Sequence, residues 1–310
     1  MTVRSDPIEG GRTDSEPMDV ERAKPTDVER EPTDVEREPM EVERAEPMDV
    51  ERAKLVHEAR KTIKRMRALG RLLRYELGEQ ELERVDSSLR TAGRRLAGAR
   101  DAEVRLATLE RLRARHPRAL ELKGVERLNE RLRGEREQSG ELASPRDVLK
   151  DIEEMRRALR HWNLVDPDFD ALSPGLRRLY GEGRRRHARL KRKHGCDAER
   201  VHDWRKRVKA LYYALDMLGA SDAKGARGVT RRAKHLGELL GEEHDLWMLG
   251  VYVECHPDAC GEDTSAHERL LKLIERRRKR LRKRALAGGA RLYRRKPRKF
   301  AQRIGDSLRR

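Results

Sequence analysis

Val201-His202-Asp203-Trp204-Arg205-Lys206-Arg207-Val208-Lys209 decides how this chain is read. Val56-His57-Glu58-Ala59-Arg60-Lys61-Thr62-Ile63-Lys64 carries His, Arg, Lys and Lys at the same spacing, 145 residues earlier. A second match follows in the same order. Leu96-Ala97-Gly98-Ala99-Arg100-Asp101 pairs with Leu240-Gly241-Glu242-Glu243-His244-Asp245 at an offset of 144. Two stretches repeated in order, with one residue of slippage, argue for two related halves. On a helical wheel of about 100° per residue, Arg60, Lys61, Lys64, Arg67 and Arg71 share a side with His57. Val56, Ile63, Met66, Leu69 and Leu73 take the opposite side. The later helix repeats the division. Arg205, Lys206, Lys209, Tyr212 and Tyr213 group with His202, while Val201, Trp204, Val208, Leu211, Leu215 and Leu218 oppose them. Each helix has one core face and one cationic face headed by a histidine.

The surrounding texture is helical as well. Apolar residues recur at helical spacing, Leu and Ala dominate, and no alternating strand pattern stands out. The spacing predicts helices over Ala53–Leu77, Gln80–His116, Arg118–Gln138, Pro145–Trp162, Leu176–Lys193, Ala198–Leu218, Lys224–Val253 and Thr264–Leu286. Breakers are expected at Gly78, Pro117, Gly140, Pro145, Asp166-Pro167, Ser173-Pro174-Gly175, Gly195, Gly219, Pro257 and Gly288-Gly289. The expected fold is all-α, with two pseudo-symmetric four-helix-bundle-like halves over about 53–144 and 145–310.

Ahead of that body lies a repeat of 7 or 8 residues. Glu16-Pro17-Met18-Asp19-Val20-Glu21-Arg22 is followed by Lys24-Pro25-Thr26-Asp27-Val28-Glu29-Arg30, with further copies from Glu31, Glu38 and Glu46. Each copy offers one Val and one Pro, which is too little to bury and too much interruption for a coiled coil. Residues 1–52 are therefore expected to be a disordered acidic tail. Its charge sharpens the rest. The whole chain carries 74 Lys+Arg against 56 Asp+Glu, net +18. Residues 1–50 hold 7 basic and 16 acidic side chains, net −9, so residues 51–310 carry +27. An excess of that size implies an anionic partner. Apolar runs fall far short of the ~18–20 residues of a membrane span, so no membrane association is expected. No apolar signal segment opens the chain and three cysteines make no disulfide scaffold, so a cytoplasmic location is expected.

Like charges at i,i+3 and i,i+4 repel, and an acid at those positions would relieve them. The His-Arg-Lys-Lys spacing occurs twice without that remedy, so an external anion is the natural counter-charge. Arg grips phosphate oxygens bidentately, Lys supplies a mobile charge, and His⁺ adds a donor. The His-x-x-Arg-Lys-x-x-Lys helices, Leu-x-Gly-x-Arg-Asp-Ala after the first, and Leu-Gly-x-x-His-Asp-Leu after the second resemble the CHAD domain, the conserved histidine α-helical domain. Gly175-Leu176-Arg177-Arg178-Leu179-Tyr180-Gly181-Glu182-Gly183-Arg184-Arg185 is similar to its linking stretch. The resemblance covers about residues 50–300. It implies two pseudo-symmetric helical bundles whose shared basic groove binds inorganic polyphosphate, and an association with polyphosphate granules. Carried over by position, the ligand-facing set is His57, Arg60, Lys61, Lys64, Arg67, Arg90 and Arg94 in the first half. The second half supplies His202, Arg205, Lys206, Lys209 and Lys234, and the linking stretch supplies Arg177, Tyr180, Arg184 and Arg185. Glu238 stands where the first half has Arg94. No triphosphate-tunnel domain accompanies the motifs.

The competing reading is a sequence-independent nucleic-acid binder. It is disfavoured because single-strand binders stack bases on aromatic platforms, and this chain has 3 Trp, 6 Tyr and 2 Phe in all. An enzyme is not expected, since phosphoryl chemistry needs carboxylates holding Mg²⁺ and the cationic faces carry almost none. No cofactor and no metal site is expected. Cys255-His256-Pro257-Asp258-Ala259-Cys260 lacks the second close ligand pair of a structural zinc site. Arg100-Asp101 and His244-Asp245 read as caps or Arg-paired aspartates, with His244 an optional ligand. Arg276–Arg280 reads as a solvated helix face and Arg291–Lys299 as a mobile tail. Binding is expected to strengthen below about pH 6.5 as histidines charge.

Overall fold

Trp204, Leu211 and Leu215 are almost wholly buried, as the wheel requires. So are Ile63, Met66 and Leu73 on the earlier helix, each below 10% exposed. Burying one such side chain contributes on the order of 2 kcal/mol. A computed structural model describes residues 47–139, 149, 150, 152, 153, 157, 169–192 and 197–309, without the side chains of 47–53 and 97–100. Glu46–Arg310 form one unit, and among the described residues every regular element is helical. The helices are α1 Pro47–Leu72, α2 Glu79–Arg95, α3 Ala97–Arg115 and α4 Lys123–Ser139. They continue as α5 Phe169–Arg192, α6 Ala198–Met217, α7 Arg227–Cys255, α8 Thr264–Leu292 and α9 Pro297–Leu308.

The doubling shows in the turns as well as the helices. A 3-10 turn at Pro117–Ala119 separates α3 from α4, and another at Pro257–Cys260 separates α7 from α8. Each opens on His-Pro, with His116 at φ −134°, ψ 55° and His256 at φ −127°, ψ 71°. Where the first half breaks at Leu96 into α2 and α3, the second half runs through as the single helix α7. Aspartates cap the later helices: Asp197 accepts from the Glu199 N–H, and Asp263 from Ala266 N–H at 2.9 Å. Such caps are worth about 1 kcal/mol. One large apolar core runs through α1, α3–α9, and a smaller one joins Ile63 and Met66 to Val85 and Leu89 between α1 and α2.

Several boundaries differ from expectation. The expected tail ended at residue 52, but α1 begins at Pro47, since proline at the first helical position sacrifices no hydrogen bond. The expected disorder of residues 1–46 lies outside the described residues. The predicted helix over 145–162 also lies largely outside them, although residues 149, 150, 152, 153 and 157 are helical. Ser173-Pro174-Gly175 does not break the chain but sits within α5. Pro174 falls six residues in, where its missing N–H forfeits a single bond to the first turn. Gly175 is required by packing, because a Cβ there would lie 2.0 Å from the Leu72 carbonyl oxygen at the end of α1. The expected mobile tail is also corrected. α8 continues through Gly288-Gly289 to Leu292, and α9 follows. Phe300 stacks on Tyr180 with centroids 3.8 Å apart, and Ile304 is fully buried. That periodicity of Phe300, Ala301 and Ile304 was hidden by the arginines around it.

Candidate anion-binding site

The two histidine helices pack against each other, and Arg65 of α1 pairs with Asp216 of α6 at 2.9 Å. Six residues further along α1, Arg71 feels the charge of Arg207, nine residues earlier in α6. The helices therefore run antiparallel. His57 and His202, each near the start of its helix, stand at opposite ends of the pair, on the order of 25 Å apart along the axes. The structure does not bring the two repeated motifs into one cluster; it builds two stations.

The second station is the more enclosed. His202 of α6 meets His244 of α7, ring centroids 4.4 Å apart, and His244 stacks on Trp247 at 5.5 Å. Burial lowers the His244 pKa to about 3, helped by the charges of Arg205, His202, Lys206 and Arg278. Burial, then Lys206 and Arg205, also lower His202, whose Nδ1 is buried without a hydrogen-bond partner. Burial thus favours the neutral form of both rings in the unliganded chain, against the expected onset of charging near pH 6.5. Lys209 lays its stem along α7, where Gly237 leaves room for it. Arg278 of α8 closes this side. It holds the buried Glu243 at 3.2 Å and Glu275 at 3.0 Å. Arg277 holds Glu242 at 2.7 Å. The run 276–280 is therefore not wholly a solvated face, because its middle arginines are ion-paired against α7.

The first station is more open, and its cations are engaged as well. His57 is exposed. Arg60 donates to the Leu96 carbonyl at 2.9 Å, holding the α2–α3 break to α1. Lys61 pairs with Glu58 at 3.3 Å, and Lys64 faces partial exposure beside them. Arg67 and Arg90 share Asp86 at 2.8 and 3.1 Å, and Arg94 reaches Thr91 at 3.2 Å. Lys206 at the other station has Asp203 at 3.8 Å. The expectation of faces nearly free of carboxylates thus fails at Asp86, Glu58 and Asp203.

The linking residues go elsewhere. Tyr180 is fully buried, its hydroxyl within 3.1 Å of the Leu292 carbonyl and 3.2 Å of Arg295. It ties α5 to the α8–α9 turn and offers no surface to a ligand, so its place in the ligand-facing set is corrected. Arg177 opens toward Arg298 and Arg309 of the α9 side. Arg184 acts on Tyr180 together with Arg294 and Arg295, and Arg185 is exposed beside it. The α5 side chains that face α6 are others: Glu182 takes Arg207 at 3.1 Å and Arg178 at 3.0 Å. Lys234 lies in a cleft with Arg231, Arg232, Glu238 and Arg291. Burial, then Arg294, Arg231, Arg303 and Arg291, lower the Arg232 pKa. Among the described residues, none of Arg231, Arg232, Lys234, Arg291, Arg294 and Arg303 has a hydrogen-bonded or ion-paired acid.

Sequence reasoning missed Arg278 and the α7–α9 arginines, and left His244 optional. His244 was marked by the Leu-Gly-x-x-His-Asp match, but nothing in that match gave its distance from His202. Cys255 is exposed and Cys260 buried, and among the described residues no group of His, Cys, Asp or Glu is placed to hold a metal. None of the described helices is long and apolar enough to cross a membrane. Comparison with known proteins adds one finding. The family model described as CHAD domain matches residues 41–254, more than half of the chain, from just before α1 to the end of α7. Searches of curated proteins and of solved structures gave no match. With that span matched, and both histidine helices inside it, the chain belongs to the CHAD domain family.

Proposed function

We propose that the chain binds inorganic polyphosphate and does not turn it over. The observation that carries this reading is the doubled cationic helix, set out as two stations on an antiparallel pair within a family-matched segment. A flexible chain with one negative charge per unit suits stations spaced on the order of 25 Å, because it reaches both without the stations meeting. The proposed ligand residues are His57, Arg60, Lys61, Lys64, Arg67, Arg90 and Arg94 at one end. At the other are His202, Arg205, Lys206 and Lys209, to which the geometry adds His244 and Arg278. Lys234, Arg184, Arg185 and Arg177 extend the positive surface, joined by the acid-free arginines of α7–α9. Phosphate oxygens are gripped by guanidinium forks, and counterion release makes the affinity fall with salt. Cytoplasmic polyphosphate deposits are the location this reading carries with it.

The residues favour a phosphate chain over nucleic acid. Tyr75 and Met217 are the large hydrophobic side chains exposed among the described residues, so bases find little to stack on. Catalysis is left out because the nearby carboxylates are spent on arginines, Asp86 on Arg67 and Arg90, Glu243 on Arg278. Incubation with Mg²⁺ and polyphosphate tests that part: no orthophosphate is expected, and steady release would overturn it. Filter binding with labelled polyphosphate tests the rest, with binding expected to weaken as salt rises.

A further inference from the structure

Beside the first station, α1 and α2 enclose a cavity of about 240 Å³, just below the size of ordinary small-molecule sites. Four arginines line it. Three have their counter-charges in place, Arg67 and Arg90 on Asp86 and Arg74 on Glu79 at 2.9 Å. Arg71 does not. Among the described residues it makes no hydrogen bond or ion pair, and the nearby Glu182 is taken by Arg178 and Arg207. Burial, with Arg67 and Arg207 close by, brings its pKa down to about 10. Arg71 is half-buried, so its guanidinium lines the cavity without a carboxylate of its own and stands available to an entering anion.

The rest of the wall describes what fits. Met66, Leu82 and Leu89 give it an apolar side, and Gly70 keeps that side open, since a Cβ there would press to 3.0 Å from Leu82 Cδ1. Four arginines against Glu79, Glu83 and Asp86 leave one positive charge in excess. A polyanion would meet three carboxylates here, whereas a single charge is matched. We infer that the α1–α2 cavity binds a small monoanionic carboxylate with a compact apolar body, the carboxylate seated on the Arg71 guanidinium. Arg67 and Arg90 belong to both this cavity and the first station, but the seat on Arg71 does not rest on the polyphosphate reading.

Thermal unfolding of the full chain tests it, with benzoate as probe, benzamide as its neutral counterpart and inorganic phosphate as a bare anion. Benzoate is expected to raise the wild-type midpoint saturably, with benzamide and phosphate inert. Arg71→Met is expected to melt no lower than wild type without ligand, and to bind benzoate at least about tenfold more weakly. Gly70→Leu, which fills the apolar wall and keeps Arg71, is expected to lose the benzoate response while remaining folded. Four results would each overturn the inference. They are no response to benzoate in the wild type, an equal response to phosphate, a response retained in Gly70→Leu, or an Arg71→Met chain that is less stable or fails to fold.

Discussion

His244 shows how single residues set the behaviour of this chain. Its neighbours are His202, Arg205, Lys206 and Arg278, and burial among them holds its folded pKa at about 3. The unfolded value is about 6.5, so below that pH the unfolded chain binds the extra proton. Stability contributed by the neutral ring is therefore present at pH 7 and is lost as the pH falls from about 6.5 toward 3. Urea unfolding followed from pH 7.5 to 4 should show His244→Gln losing less stability than wild type, and parallel curves would contradict this. Bound phosphate opposes the same cations and raises the ring pKa, so polyphosphate affinity should grow as pH falls across that interval. Isothermal titration in buffers of different ionisation enthalpy should detect proton uptake on binding. The sequence made the histidines legible as a pair of landmarks, through identical spacing. It could not show that His202 has a histidine neighbour, because that is a fact of helix packing rather than of periodicity. Tyr180 illustrates the opposite error. The likeness of its stretch to the family's linking segment suggested a ligand group, while the structure spends its hydroxyl on the α8–α9 turn.

At the scale of elements, two packing devices hold the sites in place. α5 lies so close to the end of α1 that Gly175 admits no side chain, the Leu72 carbonyl being where a Cβ would stand. Gly175→Ala must therefore push backbone apart and should cost roughly 1–3 kcal/mol or more, read as a lowered unfolding midpoint. A neutral effect would mean the helices can separate without loss. α9 is the second device, since Phe300 is 2% exposed and lies on Tyr180. Phe300→Ala should cost roughly 3–5 kcal/mol by chemical denaturation, whereas a loose tail would tolerate it. The helices themselves were legible because apolar residues recur every three or four positions. The two expected breaks that fall inside helices share one cause. Gly175 and Gly289 look like breakers locally, but there the missing side chain serves close contact with Leu72 and His187. Local propensity cannot see a neighbour brought in from more than a hundred residues away.

For the whole molecule, the +27 of residues 51–310 divides into cations that hold the fold and cations without acids. Arg65 and Arg207 belong to the first kind, each on a carboxylate, while Arg67 and Arg278 hold carboxylates at the edges of the two stations. Arg184, Arg185, Lys234 and Arg291 belong to the second and are exposed. Reversing these four to Glu should weaken polyphosphate binding strongly and leave helicity and unfolding midpoint nearly unchanged. Reversing Arg60, by contrast, also removes its hydrogen bond to the Leu96 carbonyl and should cost stability. Net charge alone suggested any polyanion; the doubled spacing with few aromatics, together with the resemblance to the CHAD domain, pointed to a phosphate chain. The most direct measurement of the central claim is a competition on the full chain. Labelled polyphosphate is bound at fixed salt, then challenged with unlabelled polyphosphate or with single-stranded DNA at equal phosphate concentration. The account predicts displacement by polyphosphate and little by DNA. Equal displacement by the two would contradict it.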